Sequence, residues 1–247
     1  MSSYVLVPGA WLGKWAWDRV TPILESEGHT VYPITLPGLA ERANELSPSI
    51  GVMSHVSDLI DTCEKLDLKD AILLGHSYAG AVVGASARRR PNLFRAQVYL
   101  DTMPLPENKS FLDGFSTEGK AKFENSLITR NATRVWPMPE PLSSQAPTEG
   151  MSNEDLQLLR RKGTPQPART FEEPLSGPVG SEPYPKCYAI SCVEDENAAA
   201  VERKQFQEKR PDWEYYSIPK ISHWPMFSSP KELASILIKI GKDCGIS

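Results

Sequence analysis

Cysteine is scarce in this chain of 247 residues: Cys63, Cys187, Cys192 and Cys244 are the full set. Without C-x-x-C spacing they make neither a disulfide scaffold for a chain this long nor a redox or zinc motif. Cys187 and Cys192 lie five apart on one strand-like run and should face opposite sides. Histidine is equally rare, with four copies and no two at metal-ligand spacing, so no metal is expected. Long apolar runs are missing too; none approaches the ~20 residues needed to span a bilayer. The amino end has no basic region and only a four-residue strand-forming stretch, Tyr4–Val7, which reads as a first strand and not a secretion signal. These absences point to a reduced, cytoplasmic protein with no membrane partner. An excess of positive charge is also lacking. With 27 Lys+Arg against 31 Asp+Glu, the net charge of −4 gives no field that would gather phosphate backbones, and no nucleic acid is expected. A dinucleotide fingerprint is absent. The spacing Gly9-x-x-x-Gly13-Lys14-Trp15 resembles a phosphate loop but is wrong in length and has no Ser or Thr after the lysine. No cofactor is implied.

The chain does have ordinary hydrophobic (40%) and charged (23%) fractions, enough to bury a sizeable core. Short β-branched runs at Tyr4–Val7, Val31–Ile34, Ala71–Leu74, Ala96–Leu100, Cys187–Cys192 and Trp213–Ile218 read as six strands. Those at 71–74 and 96–100 are apolar nearly throughout, as in strands covered on both faces. Helical patterns lie between them at 52–66, 79–90 and 197–209, and an early helix must carry Pro22 in an early turn or a kink and ends at Gly28. Ser229-Pro230-Lys231-Glu232 predicts a capping box that starts the last helix. The alternation gives an α/β class: a mostly parallel six-stranded sheet with helices on both faces. Proline breaks the pattern, since 12 of the 22 prolines fall between Pro104 and Pro185. Residues 104–180 therefore read as a small helical lid, with helices near Phe111–Leu127 and Asn153–Lys162, inserted into a core made of 1–103 and 181–247. The runs Arg88-Arg89-Arg90 and Arg160-Arg161-Lys162 read as solvated charges at helix C-termini.

The chemistry concentrates at Leu73-Leu74-Gly75-His76-Ser77-Tyr78-Ala79-Gly80. A buried strand runs through Gly-x-Ser-x-small directly into a helix, the context a nucleophile elbow requires. The turn is sharp, so its flanking residues must be small, and it lifts the Ser77 hydroxyl clear of the sheet beside a helix N-terminus. A serine needs a base. His76 is the chain neighbour of Ser77 and points elsewhere, His29 precedes a strand in a turn, and His55 opens a helix. His223 remains, in the loop after the sixth strand at the same sheet edge as Ser77. The orienting acid should also leave that edge. Glu194-Asp195-Glu196 follows the fifth strand, and Asp195 is favoured because a short carboxylate off a strand end is easier to fix. Glu194 and Glu196 are the fallbacks, and Asp101, at the end of the preceding strand, is the third. Two amides should hold an oxyanion: that of Tyr78 and that of Ala10 in Val7-Pro8-Gly9-Ala10-Trp11, where Gly9 lets the backbone approach the substrate.

Taken together, Pro8-Gly9-Ala10-Trp11, Leu36-Pro37-Gly38-Leu39-Ala40-Glu41-Arg42, the elbow, Glu194-Asp195 and Ser222-His223 resemble the α/β-hydrolases, in the branch of plant methylesterases, hydroxynitrile lyases and bacterial esterase relatives. The resemblance spans nearly the whole chain. It implies an α/β-hydrolase core with residues 104–180 as lid, and a triad of Ser77, Asp195 and His223. The chain departs from that branch at Pro8, where a histidine usually braces the oxyanion loop, and at Ala79, where glycine is usual. Trp224 and Gly9 stand where the lyases carry lysine and threonine, which disfavours lyase chemistry.

These readings predict a serine hydrolase that cleaves a small apolar or aromatic carboxylic ester through an acyl-enzyme. Trp11, Met103, Trp136 and Trp224 are the candidates to line its pocket. An alternative keeps the triad and cleaves the C–N bond of an amide or aryl carbamate. A third, of another class, is a hydrolase-derived binding protein or cofactor-free oxygenase. The expected partner is a small-molecule substrate, and a homodimer is compatible with everything above.

Overall fold

The computed structural model describes residues 1–140, 148–177, 184–221 and 223–245. In chain order the elements are β1 (Ser3–Val7), α1 (Thr21–Ser26), β2 (Thr30–Pro33), α2 (Val52–Lys65), β3 (Ala71–His76), α3 (Ala79–Arg89) and β4 (Phe94–Leu100). There follow α4 (Thr117–Ser126), β5 (Ile128–Arg130), β6 (Thr133–Trp136), α5 (Asn153–Lys162), β7 (Gln166–Pro167) and α6 (Arg169–Glu172). The chain then returns to β8 (Lys186–Val193), α7 (Glu196–Lys209), β9 (Glu214–Pro219), α8 (Pro225–Ser228) and α9 (Pro230–Asp243).

The six expected strands form one sheet in the order β2-β1-β3-β4-β8-β9, and all of its pairings are parallel. Every residue of β3 is buried, which is why that strand is apolar along its whole length. Strand order reverses beside β1, so α1 packs with α9 as one layer while α2 packs with α3 as the other. Parallel strands put all their C-terminal ends on one edge, and the reversal at β1 opens a crevice there. Of the α2 stripe that periodicity predicts, Val52, Val56, Leu59, Ile60 and Cys63 are buried, whereas Leu66, at the C-cap where the helix ends, is 43% exposed. α1 carries Pro22 in its first turn, where no donor is lost, and Gly28 follows at φ +82°.

Two local expectations are corrected. Ser229 takes the N-cap position of α9, but its side chain caps nothing, so the box with Glu232 does not form; Pro230 in the first turn starts the helix instead. Arg89 is not a solvated charge. It is 8% exposed and, with Arg88, grips Glu107, while its Nη2 also donates to the Ser176 carbonyl at 2.6 Å. These contacts clamp both ends of the segment between β4 and β8 onto α3.

That segment contains α5 over the predicted residues and α4 inside the predicted 111–127 stretch. It also holds an antiparallel three-stranded sheet, β5-β6-β7, which the sequence did not reveal, because β5 and β7 have only three and two residues. The expected boundary between 180 and 181 lies outside the described residues, as does Ser222 of the Ser222-His223 pair. Cys63, Cys187, Cys192 and Cys244 are all unpaired.

Candidate active site

β3 ends at His76 and the chain turns at once into α3. Ser77, at the apex, adopts φ +52°, in the left-handed region that costs a β-carbon residue of order 1–3 kcal/mol. Its neighbours make the bend feasible. A Cβ on Gly75 would stand 2.6 Å from the Ala79 carbonyl oxygen, and one on Gly9 would stand 2.8 Å from His76 Nδ1 and 3.1 Å from Ser77 Cβ. The loop after β1 therefore lies directly against the serine, and only glycine fits at the contact. Ser77 is partly exposed while the residues on both sides of it are buried.

Register decides what else reaches this spot. His76 pairs with Leu100, and Leu100 pairs with Ile190, so β3 and β4 end level with one another. Asp101 then turns out of β4 at φ +48°, with its amide on the Ile190 carbonyl at 2.7 Å. His223 arrives from the loop after β9, and its Nδ1–H donates to Asp101 Oδ2 at 2.6 Å. The other carboxylate oxygen, Oδ1, accepts the Cys192 amide at 3.1 Å. Burial raises the Asp101 pKa, but the His223 and Cys192 hydrogen bonds outweigh it and leave the group below the ordinary carboxylate value.

The acid beside His223 is thus Asp101 and not Asp195, Glu194 or Glu196. β8 runs on through Ser191, Cys192 and Val193 after β4 has stopped, about 10 Å farther at the strand rise. Asp195 is carried beyond the imidazole and becomes the N-cap of α7, where its Oδ1 accepts the Ala198 amide at 2.8 Å. A short acid at a strand end is equally well explained by helix capping.

Two of the three histidines that sequence elimination set aside, His76 and His55, are buried braces. His76 Nε2–H donates to the His223 carbonyl at 2.8 Å, so the imidazole of His223 is held through Asp101 and its backbone through His76. Desolvation, then the nearby His223 charge, depress the His76 pKa well below the ordinary histidine value. His55 Nε2–H donates to the Pro37 carbonyl at 3.0 Å, and its Nδ1 accepts the Tyr78 hydroxyl at 2.9 Å. Burial pushes His55 down to about 4. The signal for both was present: a histidine within an otherwise apolar buried run must have a partner.

Tyr78 packs its ring on Phe171 at 5.3 Å, which leaves its backbone amide at the start of α3. Among the described residues, neither that amide nor the Ala10 amide donates to an acceptor. The loop after β1 is supported by the inserted segment. Trp11, at φ +68°, donates its amide to Gln166 Oε1 at 3.1 Å and its Nε1–H to the Trp136 carbonyl at 3.1 Å, and its carbonyl accepts the Thr164 amide at 2.9 Å.

The four expected pocket residues do not converge on one cavity. Trp11 and Trp224 are 6% and 2% exposed and serve as packing; Trp224 lies against the His76 and His223 rings at 5.7 and 5.2 Å. Trp136 lines a cavity of about 560 Å³ with Phe115, Phe123 and Met138, whereas Met103 borders a different one of about 430 Å³ with Phe206 and Tyr215. A wide aromatic side chain close to a loop is as useful to the core as to a ligand. Among the described residues no group of three or more His, Cys, Asp or Glu side chains comes together as a metal site, and no helix is long and apolar enough to cross a membrane.

Comparison with known proteins agrees with this architecture. The chain is 28% identical to the carbendazim hydrolyzing esterase of Nocardioides sp. (strain SG-4G), over 98% of this chain and 100% of that protein. It is 26% identical to polyneuridine aldehyde esterase of Rauvolfia serpentina, over 96% of this chain and 94% of the relative. A crystal structure of polyneuridine aldehyde esterase shares the fold with a TM-score of 0.74, 22% identity, and coverage of 98% of this chain and 99% of that one. The Alpha/beta hydrolase family matches residues 4–236, from the first strand into the last helix, so the chain belongs to that family.

Proposed function

We propose that the protein is a serine hydrolase of small carboxylic esters, with Ser77 as nucleophile, His223 as base and Asp101 as the acid that orients it. The observation that carries this reading is the 2.6 Å bond from His223 Nδ1 to Asp101 on the edge where Ser77 is raised on its strained bend. A carboxylate on Nδ1 fixes the neutral tautomer, so Nε2 carries the lone pair that takes the Ser77 proton. Ser77 Oγ then attacks the ester carbonyl. The developing oxyanion meets the Ala10 and Tyr78 amides, which have no other described acceptor. Protonated His223 gives its proton to the leaving alcohol, water attacks the acyl-enzyme with the same base, and the acid and Ser77 are released. Asp101 stays ionised throughout and stabilises the imidazolium. The segment 104–180 acts as a lid over this edge, and its aromatic cluster around Trp136 favours apolar acyl or alkoxy groups.

A carbamate is the second substrate class, favoured by the relative named for hydrolysing carbendazim. The same triad serves both, since the serine attack and the oxyanion are alike, and a carbamate differs in the nitrogen that its carbonyl carries. Labelling with a fluorophosphonate followed by peptide mapping tests the nucleophile: the adduct should fall on Ser77 and vanish in Ser77→Ala. Matched aryl esters and aryl carbamates then separate the two classes by kcat/KM. Unlabelled Ser77 together with full ester turnover by Ser77→Ala would overturn the proposal.

A further inference from the structure

We infer that Gln166, far from the triad in sequence, is a positioning residue for the oxyanion hole; this rests on the serine-hydrolase reading above. The loop after β1 contains no regular structure, yet the Ala10 amide must be held where negative charge develops. Trp11 follows Ala10, and all three of its polar groups are bonded to the inserted segment: the amide to Gln166 Oε1, the indole N–H to the Trp136 carbonyl, and the carbonyl to the Thr164 amide. The Gln166 bond is the one that orients the backbone next to Ala10. It holds Trp11 at φ +68° and takes the Trp11 amide out of contention as an oxyanion donor, which leaves Ala10.

Gln166 is itself fully buried and has a fixed orientation. Its Nε2 donates to Thr170 Oγ1 at 2.8 Å, and the Thr170 hydroxyl donates to the Pro167 carbonyl at 2.6 Å. With the amide nitrogen committed to Thr170, Oε1 must face Trp11. Thr170 also lies beside the Tyr78 hydroxyl, which is bonded on its other side to His55.

The test separates positioning from mere structure by comparing kcat, KM and the affinity for an aryl trifluoromethyl ketone. Ser77 Oγ adds to the ketone carbon, its proton passes to His223, and the carbonyl π pair becomes an oxyanion in the hole. Gln166→Leu should lower kcat on an aryl ester about 10²-fold, as removal of an oxyanion donor does. KM should stay within about 2-fold, and the ketone Ki should rise by the same factor as kcat falls. Gln166→Glu keeps an oxygen for the Trp11 amide and should recover at least tenfold of the loss. Should Gln166→Leu not fold, Thr170→Val, which frees the Gln166 amide, should show a smaller loss of the same pattern. Wild-type kcat in folded Gln166→Leu, a kcat loss without weaker ketone binding, or Gln166→Glu no better than leucine would each overturn the inference. Ser77→Ala run alongside distinguishes the failures: an active alanine variant sinks the nucleophile assignment, whereas an inactive one beside an unaffected Gln166→Leu sinks only the role of Gln166.

Discussion

Replacing Asp101 by asparagine should cost about 10⁴ in kcat and leave the fold intact. The size follows from geometry. When His223 accepts the Ser77 proton, its positive charge stands 2.6 Å from the carboxylate oxygen. At an effective dielectric of about 20 that attraction is of order 6 kcal/mol, and a 10⁴-fold rate change corresponds to about 5.5 kcal/mol. Asparagine also reverses the hydrogen bond. Its carbonyl would keep the Cys192 amide, so its NH₂ would face Nδ1, and the ring would move its proton to Nε2, leaving no lone pair for Ser77. Asp195→Asn is the matched control. Asparagine caps helices as well as aspartate does, so the bond to the Ala198 amide survives and kcat should stay within about 2-fold of wild type. The assay is steady-state hydrolysis of an aryl acetate, with thermal melts confirming that both variants are folded. Comparable losses in the two variants, or more than a tenth of wild-type kcat in Asp101→Asn, would refute the assignment.

Gly9→Ala should reduce kcat by about 10²–10³, because the new Cβ would lie 2.8 Å from His76 Nδ1 and must push the Ala10 loop away from Ser77; burst kinetics would show a slowed acylation phase. Acid should destabilise the protein through His55. Its folded pKa of about 4 lies below the unfolded value of 6.5, so the stability from keeping it neutral is complete above pH 6.5 and is lost as pH falls towards 4, about 3 kcal/mol in all. Urea melts across that window should show a shallower pH slope in His55→Phe than in wild type, and equal slopes would dismiss the effect. Arg89→Ala should lower stability by about 2 kcal/mol by removing its bonds to the Ser176 carbonyl and to Glu107, which keeps only Arg88, whereas Arg90→Ala, an exposed pair with Glu64, should change the urea midpoint little.

Much of this molecule can be read locally. Apolar β-branched runs and the 3.6-residue stripe of α2 are short-range patterns, and the six strands of the sheet stand within a few residues of where those patterns place them. The elbow is equally legible, since a buried strand, small residues and a serine at one bend leave few other interpretations. What escapes is whatever depends on partners distant in the chain. β5 and β7 are too short to have a period, and Arg89 resembles any helix-ending arginine until Glu107 and Ser176 close over it. Trp11, Met103, Trp136 and Trp224 share a chemistry suited to a pocket, but large rings serve core and ligand alike, and only packing distinguishes them.

The layered α/β sheet, the raised serine and a histidine after the sixth strand are legible in the residues alone, because strand, turn and helix preferences act over a few neighbouring residues. Tertiary structure alone decided which carboxylate meets that imidazole and what steadies the loop of Ala10. Both outcomes depend on how far each strand runs before it stops relative to its neighbours, so that β4 delivers Asp101 level with Ser77 while β8 carries Asp195 past it. Such register is set by packing across the whole sheet, and no window of adjacent residues contains it.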